Sequence, residues 1–235
     1  MNNCWFTLSD SEEYLKESLG LAISLVKVGS KYPLCIMIPA NAANNLNLEN
    51  FSKKISKYNA FIKIIPSILV DPTQPLAYNV TLNKFYILNF VEYDKVCFID
   101  ADNIVMSNID HLFNNKYPTF RFATHNVLTK APLPPNAIKP MGDILLFKPD
   151  LNLYGYIIST CFRERFLTDE FAIMYLLLNG IIPFERLSLE IQQKIYDDTG
   201  MPKYLAQFSY DEIEKIVNNF NIQDFQSIRG EKFFA

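Results

Sequence analysis

The first hundred residues repeat one arrangement: a short, nearly unbroken apolar run, then a stretch whose apolar residues recur at helical spacing. Cys4-Trp5-Phe6-Thr7-Leu8 reads as a strand ending in the turn-forming Ser9-Asp10-Ser11. Tyr14, Leu15, Leu19, Ala22, Ile23 and Val26 then share a helical face, and Gly29 stops the helix. Asp10 or Ser11 is placed to cap it, and Glu12 and Glu13 suit its N-terminus. Residues 34–38 and 61–65 predict further strands, stopped by Pro39 and Pro66, with a helix over 48–58 between them that is basic on one side. Leu82, Phe85, Tyr86, Leu88 and Asn89 predict another helix, and Val96-Cys97-Phe98-Ile99 a strand whose carboxyl end is Asp100. Strands apolar on both faces, alternating with helices, require an α/β fold with a mostly parallel sheet covered on both sides. Ligands of such sheets bind beyond the carboxyl ends of the strands. Residues 7–10 and 100–102 both fall on that edge.

The second half is less regular. Residues 120–124 and 144–147 are strand candidates, separated by a Pro-rich loop over 131–140. Residues 168–179 predict a helix ended by Asn179-Gly180, and 211–220 another. No repeat, low-complexity tract or linker divides the 235 residues, so one domain over 1–235 is expected.

Composition removes several function classes. A net charge of −3 supplies no field to neutralise many phosphates, which argues against nucleic-acid binding. The first ten residues lack the basic flank and apolar run of a signal peptide, and no apolar stretch approaches the ~20 residues that span a bilayer. Cys4, Cys35, Cys97 and Cys161 form no Cys-X-X-Cys pair, and three of them lie in apolar strands. They read as reduced core thiols, which places the protein in the cytoplasm. A dinucleotide oxidoreductase needs a Gly-rich turn after the first strand, and Ser9-Asp10-Ser11-Glu12 would instead repel a pyrophosphate.

The central chemical feature is Phe98-Ile99-Asp100-Ala101-Asp102. Two carboxylates at i and i+2, at the tip of a buried strand, point to one side of the chain. A hard dication, Mn²⁺ or Mg²⁺, takes such oxygens and keeps sites for water or phosphate. Held there, it would neutralise a diphosphate leaving group.

The segment from Thr81 to Phe113 resembles the glycogenin and galactinol-synthase type of retaining glycosyltransferases (family 8). The matching residues are Thr81-Leu82-Asn83-Lys84, then 93–102, then Asn108-Ile109-Asp110-His111-Leu112-Phe113. Thr7-Leu8-Ser9-Asp10 with Tyr14, Leu21 and Ser24-Leu25 is similar too. The resemblance implies a Rossmann-like, doubly wound fold of the nucleotide-diphospho-sugar transferase type, a UDP-sugar donor and Mn²⁺. It also implies a nucleotide-binding half over 1–113 and a donor-sugar and acceptor half over 114–235. Carried over, Thr7 and Leu8 line the uracil site and Tyr14 stacks on the base. Lys84 approaches the ribose or diphosphate as a point charge. Asp100 and Asp102, flanking Ala101, hold metal and ribose.

The C-terminal half departs from the family pattern. Met141-Gly142-Asp143 stands where the family has Asn-Ser-Gly, so the Asn amide that holds the donor sugar is missing and Asp143 is its candidate replacement. The family's Asp-Gln matches Thr168-Asp169 or Asp169-Glu170. A carboxylate there orients the sugar or stabilises an oxocarbenium-like transition state, or simply favours a helix N-terminus. The family's near-terminal His has no counterpart; Gln226 is a poorer substitute, while Gly230 and Lys232 echo the family's ending, with Lys232 set to cover the diphosphate. His111 reads as a surface residue and His125 as a cleft candidate. The expected function is metal-dependent transfer of a hexose from a UDP-sugar to an unknown acceptor with retention. The alternative is a transferase-like protein that binds a nucleotide sugar or a partner without turnover. Acceptors dock on variable loops, so no residue reports theirs; an oligomer is compatible with the sequence.

Overall fold

The computed structural model describes residues 1–70, 80–123, 139–166, 168–192, 194–197 and 205–219. Strands β1 (Asn3–Leu8), β2 (Leu34–Pro39), β3 (Ala60–Ile65) and β4 (Lys95–Ile99) run parallel in the order β3-β2-β1-β4. Beyond β5 (Asn103–Val105), β6 (Thr119–Phe122), β7 (Pro140–Phe147) and β8 (Glu185–Arg186) continue the same seven-stranded sheet as β4-β7-β6-β8. β7 is antiparallel to both β4 and β6, so the sheet is mixed but mostly parallel. β5 pairs separately with β9 (Ile195–Asp197), a two-stranded ladder that the apolar pattern did not signal because each strand has only three residues.

The alternation of strand side chains builds two cores. Trp5, Ile36, Cys97 and Ile99 face one layer with Leu15 and Leu19 of α1 (Glu12–Lys27), Phe51 of α2 (Leu48–Ile55) and Ile213 of the C-terminal helix. Cys4, Phe6, Val96 and Phe98 face the other, with Phe85, Leu88, Phe120, Phe147, Ile157 and Ile173. A strand flanked by both layers is apolar on both faces, which is why β1, β2 and β4 read as nearly unbroken runs. Each fully buried Phe contributes about 1.5–3 kcal/mol. All four cysteines are buried and unbonded to one another.

The expected helix over 82–89 is a 3-10 helix, Leu82–Asn89. Leu82, Phe85 and Leu88 recur every three residues and are all fully buried, the period of a three-residue turn. The helix expected over 48–58 is α2 followed by a 3-10 turn, Ser56–Tyr58, which Asn59 ends in the left-handed region at φ 51°.

One helix carried no clear sequence signal: α3, Leu151–Glu164. Gly155, Ile157, Ile158, Thr160 and its aromatics are weak helix formers. Its start is fixed by Asp150, whose carboxylate accepts from the N–H groups of Asn152 and Leu153 at 2.8 and 3.0 Å. Buried Ile157 and Cys161 then hold it against the layer that contains Phe85 and Leu88. α4 (Asp169–Leu178) ends at Asn179 and Gly180 as expected, with Gly180 at φ 61°. α5 (Tyr210–Asn218) opens with a capping box between Ser209 and Glu212. Among the described residues, no helix is long and apolar enough to cross a membrane.

Candidate active site

β1 and β4 are neighbours with Phe6 opposite Phe98, which brings residues 7–8 and Asp100 to one edge of the sheet. The Asp100 N–H donates to the Asp143 carbonyl of β7 at 2.9 Å, and the Asn103 N–H donates back to the Asp100 carbonyl at 3.1 Å, turning the chain sharply after β4. On the β1 side, the Ser9 N–H donates to the Met37 carbonyl, and the Ser9 and Ser18 hydroxyls meet at 2.6 Å. Ser11, not Asp10, caps α1 by accepting from the Tyr14 N–H.

These two turns border a cavity of about 550 Å³, a size suited to a nucleotide. Leu8, Tyr14, Lys84, Asp100, Ala101 and Asp102, all expected from the sequence, line it together with Asp10, Ser11, Glu13, Val80 and Thr81. Thr7 does not line it: it is fully buried beneath, and its hydroxyl makes no hydrogen bond.

Lys84 is buried; its ammonium donates to the Gly142 carbonyl at 3.0 Å and is ion-paired with Asp100 Oδ1 at 2.9 Å and Asp169 Oδ2 at 3.1 Å. Burial disfavours its charge, but Asp100 and Asp169 more than compensate and raise its pKa. Burial raises the Asp100 carboxyl; Lys84 opposes this, while Asp102 and Asp143 add to it. Two hard carboxylates on one cavity wall fit a hard dication whose other positions go to water and phosphate. Among the described residues, no group of three or more His, Cys, Asp or Glu side chains is preassembled for a metal.

The remaining acids differ in setting. Asp169 opens α4, is 3% exposed, and donates its backbone N–H to Thr81 Oγ1 at 3.2 Å. Thr168 is the N-cap, without a side-chain cap bond. Asp143 is equally buried and ion-paired with Arg121. Glu170 is on the exposed side of the same turn; partial burial, then Asp169, raises its carboxyl. None of Asp143, Asp169 and Glu170 lines the cavity itself. His111 is exposed on a short 3-10 helix, Asp110–Asn114. Lys232, Gln226, Gly230, His125 and residues 131–138 lie outside the described residues.

The sequence gives Gly142 only as part of the Met141-Gly142-Asp143 run and does not single out Arg121. Arg121 carried no signal, because its role depends on β6 lying beside β7. Thr81 and the acids Asp10 and Glu13 were legible only as neighbours of stronger motifs.

Residues 6–129 match the model of glycosyl transferase family 8. Galactinol synthase 2 of Arabidopsis thaliana is 33% identical over 111 residues, 46% of this chain and 32% of that protein. An uncharacterized protein, R707, of Acanthamoeba polyphaga mimivirus is 26% identical over 166 residues, covering 66% and 57%. The matched region thus spans about a third of the length of the galactinol synthases. Among solved structures, the glycosyltransferase GlyE of Streptococcus pneumoniae TIGR4 superposes with a TM-score of 0.58 at 11% identity, covering 91% of this chain and 62% of that one. A glycosyltransferase involved in glycosylation of the major capsid of PBCV-1 superposes at 0.50 and 10% identity, covering 94% and 100%. These two share the fold.

Proposed function

This chain belongs to glycosyl transferase family 8, and from that premise we propose that it moves a hexose from a UDP-sugar to an acceptor hydroxyl, with retention of anomeric configuration and dependence on Mn²⁺ or Mg²⁺. The observation that carries this reading is the cavity in which Tyr14 and Leu8 meet Asp100 and Asp102. An aromatic ring at one end suits a nucleobase, and paired hard acids at the other suit a metal-bound diphosphate.

In this reading Leu8 and Tyr14 bind uracil, with Thr7 supporting them from below. Asp100 and Asp102 would hold the dication, which would supply Lewis-acid stabilisation of charge on the departing β-phosphate. Lys84 keeps Asp100 oriented. Lys232 is assigned to the diphosphate from the resemblance. The acceptor hydroxyl attacks the anomeric carbon as the bond to the β-phosphate oxygen breaks; UDP leaves, and the hydroxyl proton passes to the leaving phosphate. Attack and departure occur on the same face. The alternative double displacement needs an available carboxylate nucleophile. Asp143 and Asp169 are buried and already ion-paired, which favours same-face attack and leaves Glu170 as the accessible acid of the three.

The Met141-Gly142-Asp143 run supports a second reading, a protein that binds the donor without turnover, because Asp143 is committed to Arg121 and the sugar-holding amide has no replacement there. Calorimetric titration of UDP with and without Mn²⁺, followed by a UDP-release assay over a panel of UDP-hexoses, separates the two. Mn²⁺-dependent binding with release is expected. Binding without release from any donor, with or without Mn²⁺, selects the second reading, and no UDP binding under either condition removes both.

A further inference from the structure

Gly142 lies within β7, and the space its side chain would fill is occupied. A Cβ built there would stand 1.6 Å from Asp169 Oδ2 and 2.6 Å from Asp169 Cγ. The glycine is not required by the backbone: the described glycines with positive φ are Gly29 and Gly180. What position 142 demands is room, and the group using that room is the Asp169 carboxylate.

The same residue contributes a second time. Its carbonyl accepts from Lys84 at 3.0 Å, while Asp169 Oδ2 lies 3.1 Å and Asp100 Oδ1 2.9 Å from that ammonium. The ammonium hydrogen-bonds the Gly142 carbonyl and is ion-paired with both carboxylates. Lys84 is therefore anchored on β7 and α4 and paired with Asp100 Oδ1, while Asp100 itself lines the cavity.

We propose that Gly142 is a positioning residue for the acid pair: its missing side chain seats Asp169 under Lys84, and Lys84 in turn fixes the Asp100 carboxylate for the metal-bound diphosphate. Lys84 acts through Asp100 and not on the phosphates. This rests on the metal and UDP reading of the cavity given above. The resemblance places a side chain, Ser, where this chain has Gly142, so the seat is a device of this chain and goes with Asp169 being drawn beneath the cavity.

The test is a cycle of Gly142→Ala, Asp169→Ala and the double variant, read by UDP titration with and without Mn²⁺ and by thermal unfolding. The clash in Gly142→Ala is with the end of a side chain, so Asp169 swings out while β7 stays in place. The Mn²⁺-dependent gain in UDP affinity is expected to fall by roughly tenfold or more, the usual effect of losing an outer-shell partner. UDP affinity without metal falls by less than the Mn²⁺-dependent gain does, whereas a general loss of folding would lower both alike. In the Asp169→Ala background, Gly142→Ala adds nothing further, because the group it displaces is gone. A wild-type metal response in Gly142→Ala, or additive losses in the double variant, overturns the proposal. If the wild-type protein shows no metal-dependent UDP binding, the functional reading fails separately. The seat is then judged on Tm: a double variant no less stable than Asp169→Ala sustains it, and additive destabilisation refutes it.

Discussion

The backbone N–H of Asp100 donates to the carbonyl of Asp143 at 2.9 Å, across the one junction where β4 meets an antiparallel neighbour. That bond ties the tip of β4 to β7, and β7 also carries Gly142, the carbonyl anchor of Lys84. The acid pair is thus fixed from two sides: by the turn after β4 and by the strand that reverses the sheet.

Asp102→Asn removes a charged oxygen ligand from the cavity wall while keeping its shape. Asp102 is only half-buried, so the fold is expected to persist. Mn²⁺-dependent release of UDP from its donor should fall on the order of a hundredfold. Full turnover in this variant, followed by UDP detection over time, removes the metal mechanism.

Tyr14→Ala deletes the aromatic face of the cavity. UDP affinity should drop by about 1–3 kcal/mol, the usual contribution of one base-stacking ring. Tyr14→Phe keeps the ring and should bind as the wild type does. Equal losses in both variants, measured by calorimetry, would assign Tyr14 to the hydroxyl and not to stacking.

Lys84→Met leaves the Asp169 and Asp100 carboxylates facing one another without their shared cation. Breaking a buried pair in this way costs about 3–5 kcal/mol. Urea unfolding should show that loss, and Asp169→Leu in the same chain should recover part of it. An unchanged midpoint in Lys84→Met would mean that the triad contributes no stability.

The pH dependence follows from Asp100. Burial raises its carboxyl above the ordinary 3.8, so the folded chain binds that proton more tightly than the unfolded one. The contribution of Asp100 to the stability of the metal-free protein is therefore present below pH 3.8 and lost as pH rises through its raised pKa, and Asp100→Asn should remove that component. A dication needs the ionised carboxylate, so Mn²⁺ affinity rises with pH, by at most about tenfold per pH unit, with a proton released. Calorimetry in buffers of different ionisation enthalpy reads that proton; a pH-independent affinity contradicts the assignment.

The sequence by itself determined the sheet and the wall of the cavity formed by Leu8, Tyr14, Asp100 and Asp102. β1, β2 and β4 are apolar at most positions because each lies between two layers, and that leaves a nearly unbroken run. Asp100 and Asp102 stand out because they end such a run, and Tyr14 and Lys84 because short local motifs surround them. The tertiary structure alone decided the rest. α3 forms from weak helix formers because Ile157 and Cys161 bury against a distant layer. Whether Asp169 or Glu170 sits beneath the cavity was open in the sequence, since both are acids in one helical turn. The packing of α4 on β7 decides it: the carboxylate that meets Lys84 enters a gap that only a glycine, 27 residues earlier in the chain, leaves open. Local patterns record burial and turns; contacts between residues far apart in sequence leave no periodic trace.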